Sequence, residues 1–189
     1  MESKWTSFDK MLRRFRIRKI ERFVREGSVL CDLGCGREAF LLKHFSRKIK
    51  HGYGFDKYIT AEEGGAYTLK ALELDDKVPL PDATVDLVTI LAALEHFSDE
   101  AGMLSEVYRV LKPGGRVVIT VPTWRNKPLL EMLASWGVIN KDEILDHKRY
   151  YSKKELSAAL TKAGFSPASQ TLTYWQFGLN LFGEARKDL

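Results

Sequence analysis

The stretch Val29-Leu30-Cys31-Asp32-Leu33-Gly34-Cys35-Gly36-Arg37-Glu38-Ala39-Phe40 decides how this chain is read. An apolar run ends in an acid, passes two glycines one residue apart, and resumes as an apolar pattern at helical spacing. That pattern predicts a strand, a tight loop and a helix start. Glycine suits the loop because a side chain would block a ligand approaching the backbone, and because such turns often need positive φ. Loops of this kind serve several nucleotide ligands, so the segments that follow must discriminate among them.

Working outward, strand-like segments near 29–33, 52–55, 69–74, 85–90 and 116–121 alternate with helix-like segments near 9–25, 38–45, 100–111 and 153–163. The alternation predicts an α/β fold with a parallel sheet and crossover helices. Ser98 or Asp99 can cap the third helix, whose apolar stripe is Leu104, Val107, Tyr108 and Leu111, and Lys112-Pro113-Gly114-Gly115 ends it. Ser152 with Glu155 forms a capping-box pattern for the fourth helix, and Gly164 is placed to end it. Segments 168–174 and 180–185 are strands joined by a short connector, so they must pair antiparallel. The sheet is therefore expected to be mostly parallel and to finish in a hairpin.

The 189 residues suit one domain, 1–189, able to bury a sizeable core. No apolar run approaches the roughly 20 residues that span a bilayer, and Met1-Glu2-Ser3-Lys4 is not expected to be a signal peptide. Cys31 and Cys35 have no companion ligand cluster, so reduced thiols, no metal and a cytoplasmic setting are expected. The net charge of +5 is unevenly placed. Nine Lys and Arg residues crowd residues 1–27, interleaved with Phe8, Met11, Leu12, Phe15, Ile20, Phe23 and Val24. Such a basic amphipathic helix either covers the domain with a solvated basic face or meets a membrane surface or anionic substrate.

In open α/β sheets, ligands lie beyond the carboxyl ends of the strands. The first strand delivers Asp32 and the Gly34-Cys35-Gly36 loop there, and the second ends in Asp56, whose carboxylate can accept both hydroxyls of a ribose. The third ends around Glu73-Leu74, where an adenine can rest against Leu74; the fourth leads into Leu91-Ala92-Ala93-Leu94-Glu95-His96.

With these residues in place, the chain resembles the class I S-adenosylmethionine-dependent methyltransferases. Residues 29–40 are similar to the family's first motif, and Asp56 to its ribose-binding acid. Pro79-Leu80-Pro81-Asp82-Ala83-Thr84-Val85-Asp86 with Leu94-Glu95-His96 resembles the fourth-strand block, and residues 106–115 the helix and turn before the fifth strand. The resemblance implies a Rossmann-like, doubly wound, seven-stranded sheet of order 3-2-1-4-5-7-6. It also implies S-adenosylmethionine as cofactor, held by Asp32, Gly34, Cys35, Gly36, Asp56, Lys57, Glu73, Leu74, Leu91 and His96. A nicotinamide reading competes, since Gly34-x-Gly36-x-x-Ala39 fits the dinucleotide fingerprint, but a pyrophosphate would be repelled by Asp32. A third reading is a non-catalytic sensor or interaction module.

The acceptor pocket is expected from an insertion at 122–150 with an apolar helix at 129–136. Its candidates are Trp124, Arg125, Arg149 and Tyr151. His147 is the first choice for a base or acceptor-orienting group, against a polar bridge tying the insertion to the sheet edge. Asp32 can alternatively bond loop amides, and Asp56 can cap a helix that follows it. The Asn/Asp-Pro-Pro-Tyr/Phe pattern of nucleobase amino methylation is absent after the fourth strand, so nucleic acid is not the expected acceptor. A small-molecule, saccharide-linked or lipid-like acceptor is. The basic first helix and Trp5, Trp124 and Trp136 keep a membrane-surface acceptor in view.

Overall fold

The computed structural model describes residues 7–73, 77–125 and 149–189, with side chains from residue 14 onward. Leu74, Trp5, Trp136, the 129–136 helix and His147 therefore lie outside the described residues. The described elements are α1 (Ser7–Ile20), β1 (Val29–Leu33), α2 (Phe40–Phe45), β2 (His51–Asp56), β3 (Glu62–Gly64), β4 (Tyr67–Ala71), β5 (Val85–Leu91), α3 (Glu100–Val110), β6 (Leu111–Pro122), α4 (Lys153–Lys162), β7 (Gln170–Trp175) and β8 (Asn180–Arg186). They build an eight-stranded sheet of order β3-β4-β2-β1-β5-β6-β8-β7. The β1, β2, β4, β5 and β6 ladder is parallel, and β8 inserts antiparallel between β6 and β7.

Without β3, this is the expected order of seven strands. The added strand is three exposed residues, Glu62-Glu63-Gly64, antiparallel to β4 at the sheet edge. It buries nothing, so it leaves no alternation of apolar and polar residues to read. Strand β4 runs Tyr67–Ala71 rather than 69–74, because its Tyr67 pairs with Gly52 and its Ala71 with Asp56 at the last residue of β2.

Alternation in the central strands feeds two cores. Leu30, Leu87, Val118 and Phe182 face Ile17, Ile20, Leu41, Leu42 and Phe45 of α1 and α2. Cys31, Leu33, Val88, Ile90, Val117 and Ile119 face Met103, Leu104, Val107, Leu156 and Leu160 of α3 and α4. Each fully buried aliphatic side chain contributes about 1.5–3 kcal/mol, and with helices on both faces the parallel strands are doubly covered.

Helix boundaries follow local chemistry. Asp99 caps α3 by accepting from the Gly102 N–H at 2.9 Å, so of the two candidates it is the acid that serves. The capping box at Ser152 and Glu155 is formed in both directions. Helix α1 gives way after Ile20 to a 3₁₀ turn at Glu21–Phe23 and an extended Val24. The Gly27 N–H then bonds Lys48 O at 2.8 Å, leading the chain into β1. Helix α2 starts at Phe40, not Glu38, because Ala39 sits at φ 44 with its N–H on Gly36 O.

Much of the motif material is scaffolding. Arg109 donates to Val78 O, Leu80 O, Asp82 and Glu106, fastening the loop before β5 to α3. Asp86 accepts from the Val29 N–H at 2.8 Å and from Lys112 Nζ at 2.8 and 2.9 Å, tying the starts of β1, β5 and β6 together.

Candidate cofactor and acceptor site

At the carboxyl end of the sheet, the glycine loop is held from both sides. Gly34 N–H and Cys35 N–H both donate to Phe55 O, at 2.8 and 3.2 Å, which presses the loop against β2. On the other side lies the turn after β5. Ala92 there has φ 52, and its N–H donates to Thr120 O at 2.8 Å and to Thr120 Oγ1 at 3.1 Å. This strained turn sets Ala93 on Gly34: a Cβ on Gly34 would stand 2.4 Å from Ala93 Cβ. Gly34 is thus required to be glycine by protein packing as well as by its φ of +74. Gly36 has φ +68, and a Cβ there would meet nothing within 4 Å, so its bare backbone faces open space.

Asp56 ends β2 and turns back on the loop. Its Oδ2 accepts from the Gly36 N–H at 2.9 Å and its Oδ1 from the Tyr58 N–H at 2.8 Å. Asp56 caps no helix, because the described chain runs from β2 through a turn into β3; its carboxylate closes that turn and holds the glycine loop. With one amide per oxygen, a carboxylate retains lone pairs for two further donors.

Asp32 is 3% exposed and accepts from Thr89 Oγ1 at 2.6 Å, not from loop amides. Thr89 pairs with Asp32 across β1 and β5, so the bond is a product of register. Burial raises the Asp32 carboxyl from its ordinary 3.8 to about 7; the Thr89 bond pulls it down and the Asp56 charge pushes it up. Glu95, 1% exposed in the 3₁₀ turn Leu94–His96, is likewise raised by burial to about 7, with its own backbone and the Arg16 charge acting the other way. Burial and the charges of Asp32 and Asp56 raise the Cys35 thiol, which argues against a nucleophile.

The remaining cofactor candidates are more loosely placed. Lys57 is exposed, with Nζ 4.9 Å from the Tyr58 ring centre, and Glu73 is exposed. Leu91 packs on the α1/α2 face, and His96 is half-buried with its N–H on Ala93 O.

A second group lies beyond the end of β6, where the sequence places its acceptor candidates. Thr123, Trp124, Arg125, Tyr151, Ser152 and Tyr174 line a cavity of about 150 Å³ beyond the end of β6. Tyr151 is anchored by its N–H on Pro122 O at 3.0 Å; burial, then the charges of Glu100 and Glu95, raise its phenol. Arg149 does not line this cavity; its guanidinium is paired with Glu100 on α3. A groove of about 520 Å³ lies at the opposite end of the strands, where β6 starts and β8 ends, lined by Arg116, Glu184 and Arg186 beside the Gly114-Gly115 turn.

Sequence reasoning missed Thr89, Thr120 and Tyr174. Thr89 carried one usable signal: a hydroxyl two residues before the end of the strand that flanks Asp32.

These residues fit the cofactor that the motifs imply. Gly36 offers an unobstructed backbone, Asp56 an acceptor pair for a ribose diol, and buried Asp32 a carboxyl that a nearby cation would relieve of its proton.

Comparison with known proteins agrees. A family model described as a methyltransferase domain matches residues 8–170. A probable S-adenosylmethionine-dependent methyltransferase of Mycolicibacterium smegmatis is 30% identical over 145 residues, 74% of this chain and 52% of that protein. The ubiquinone biosynthesis O-methyltransferase of Aeromonas salmonicida is 28% identical over 152 residues, 73% of this chain and 63% of that protein. The chain thus spans half to two thirds of these relatives' length. In fold, it matches a Haloferax volcanii putative methyltransferase solved with the Trm112 activator, with a TM-score of 0.67, 20% identity, and coverage of 99% and 100% of the two chains. The chain belongs to the class I S-adenosylmethionine-dependent methyltransferases, the family whose cofactor is S-adenosylmethionine.

Proposed function

We propose that this chain transfers a methyl group from S-adenosylmethionine to a small, apolar, lipid-like acceptor. When bound, S-adenosylmethionine supplies an electrophilic methyl on a sulfonium, which needs no activation by the protein. The work left to the chain is positioning, worth up to roughly 7–11 kcal/mol. In this reading Asp56 grips the ribose, Gly36 lets the methionine tail pass, and Asp32 receives its ammonium, directly or through a water or backbone group.

On the acceptor side, Trp124, Arg125 and Tyr151 stand around the acceptor. His147 is the proposed base or orienting group, needed only where the acceptor still carries its proton. Arg149 is committed to its pair with Glu100 rather than to an anionic acceptor. Three aromatic side chains on the cavity favour an apolar acceptor over a saccharide-linked one, and the ubiquinone relative's name points the same way. A cytoplasmic setting is part of the proposal; among the described residues no helix is long and apolar enough to cross a membrane.

The observation that carries the reading is the Gly36–Asp56 bridge, a bare loop locked to a strand-end acid. Calorimetric titration with S-adenosylmethionine, its demethylated product and NAD tests it. Both sulfur ligands should bind wild type, fail with Asp56→Ala, and leave NAD unbound. NAD binding alone overturns the reading. Radiolabelled donor with fractionated lysate should then place label in the organic-extractable fraction; label in saccharide or macromolecule refutes the acceptor class. Donor binding with no transfer to any fraction would mark a sensor.

A further inference from the structure

The described residues expose seven large hydrophobic side chains, and five of them, Phe40, Tyr58, Trp124, Tyr174 and Phe177, sit at the carboxyl edge of the sheet. Two of the five, Trp124 and Tyr174, line the proposed acceptor cavity, and Phe177 neighbours Gly178, which packs against the cavity residue Arg125. Trp124 is 58% exposed and its ring lies 5.2 Å from that of Tyr150. Tyr174 is 49% exposed, with Lys153 Nζ 5.0 Å from its ring centre. Phe177, at the tip of the β7–β8 hairpin, is fully exposed at 102%. Arg125 links the two sides: a Cβ on Gly178 would lie 3.2 Å from its Nη1.

The hairpin tip is held against the backbone's preference. Gln176, Phe177 and Gly178 have φ of 52, 58 and 84, and a bulky residue in that region is uncommon. The turn is closed by Gly178 N–H to Trp175 O and by Thr123 Oγ1 to Gly178 O at 2.6 Å. These bonds keep Phe177 pointing outward, where it stabilises nothing within the fold. Local strain that presents an apolar side chain beside a binding cavity is a feature of functional surfaces.

The patch is also cationic. Arg125 and Lys153 are free of ion pairs among the described residues, while Glu100 pairs with Arg149 and Glu155 is engaged at the Ser152 cap. Aromatic rings interleaved with cations match the interfacial zone of an anionic bilayer. Helix α1, the sequence's own membrane candidate, is a poorer fit: Ile17 and Ile20 are buried against the sheet, and Phe15, 46% exposed, is the outward apolar side chain among its described residues.

We propose that the rim formed by Trp124, Tyr174 and Phe177 with Arg125 and Lys153 docks on an anionic phospholipid surface, opening the acceptor cavity toward the lipid. This rests on the lipid-like acceptor proposed above and says how such an acceptor reaches the cavity.

The test is flotation of the full chain with phosphatidylcholine vesicles carrying about one third phosphatidylglycerol, beside pure phosphatidylcholine. Wild type should float with the anionic vesicles and be released by salt. Phe177→Ser should lower partitioning about tenfold, and Lys153→Glu should lower it and flatten its salt dependence. Phe177 supports no packing, so its variant should retain wild-type melting and calorimetric binding of S-adenosylmethionine. The double variant Arg14→Glu, Arg18→Glu on α1 should float like wild type. Wild type that stays unbound overturns the proposal, as does binding that the α1 variant abolishes and Phe177→Ser leaves intact. Loss of cofactor binding by wild type would instead refute the methyltransferase reading, and flotation reads the two apart.

Discussion

Replacing Asp32 by Asn removes a charge that the fold holds away from water, and the size of the effect follows from the site. Burial carries this carboxyl from 3.8 to about 7, the Asp56 charge adds to it, and only the Thr89 hydroxyl opposes. At 1.36 kcal/mol per pH unit, that displacement corresponds to about 4 kcal/mol. The folded state holds its proton more tightly than the unfolded chain, so stability is highest below pH 3.8 and falls as pH rises toward 7. Asn keeps an oxygen to accept from Thr89 and carries no charge. Asp32→Asn should therefore stabilise the ligand-free protein by about 4 kcal/mol at pH 8 and by less than half of that at pH 5, where the unfolded carboxylate alone is ionised. In a chain of this length that is roughly a 10 °C rise in melting temperature at pH 8. Thermal unfolding by circular dichroism at both pH values reads it directly. Equal effects at the two pH values, or a less stable variant at pH 8, would refute the buried-charge argument. Some pH dependence should persist in the variant, because Glu95 is raised the same way.

The two loop glycines should separate folding from binding. Gly34→Ala forces a Cβ into Ala93 and should cost more than about 3 kcal/mol in a denaturant melt, whereas Gly36→Ala meets no atom, should cost about 1 kcal/mol, and should weaken cofactor binding in calorimetry at least about tenfold. Thr89→Val removes the donor to Asp32, so the carboxyl should titrate still higher; the loss of about 1–3 kcal/mol should appear at pH 8 and shrink at pH 4. Arg109→Ala frees the 78–82 loop from α3 and should lower the melting temperature by about 5–10 °C without changing the affinity for S-adenosylmethionine.

What the chain declares by itself is local. The 29–40 stretch, the Asp99 and Ser152 caps, the Gly164 stop and the short connector before β8 each express backbone chemistry within a few residues. They carry the α/β class, the closing hairpin and the resemblance to the family, and it is that resemblance which implies the order of seven strands. Tertiary structure decided what depends on residues far apart in sequence. Gly34 is fixed by Ala93, Asp32 takes Thr89 as its partner through strand register, and Arg149 goes to Glu100 instead of the cavity beyond β6. Periodicity cannot report such pairs, because a side chain's partner across a sheet depends on strand order and register. Strand β3 and the outward Phe177 escaped for the converse reason: neither buries apolar surface, and burial is what stamps a readable pattern on a sequence.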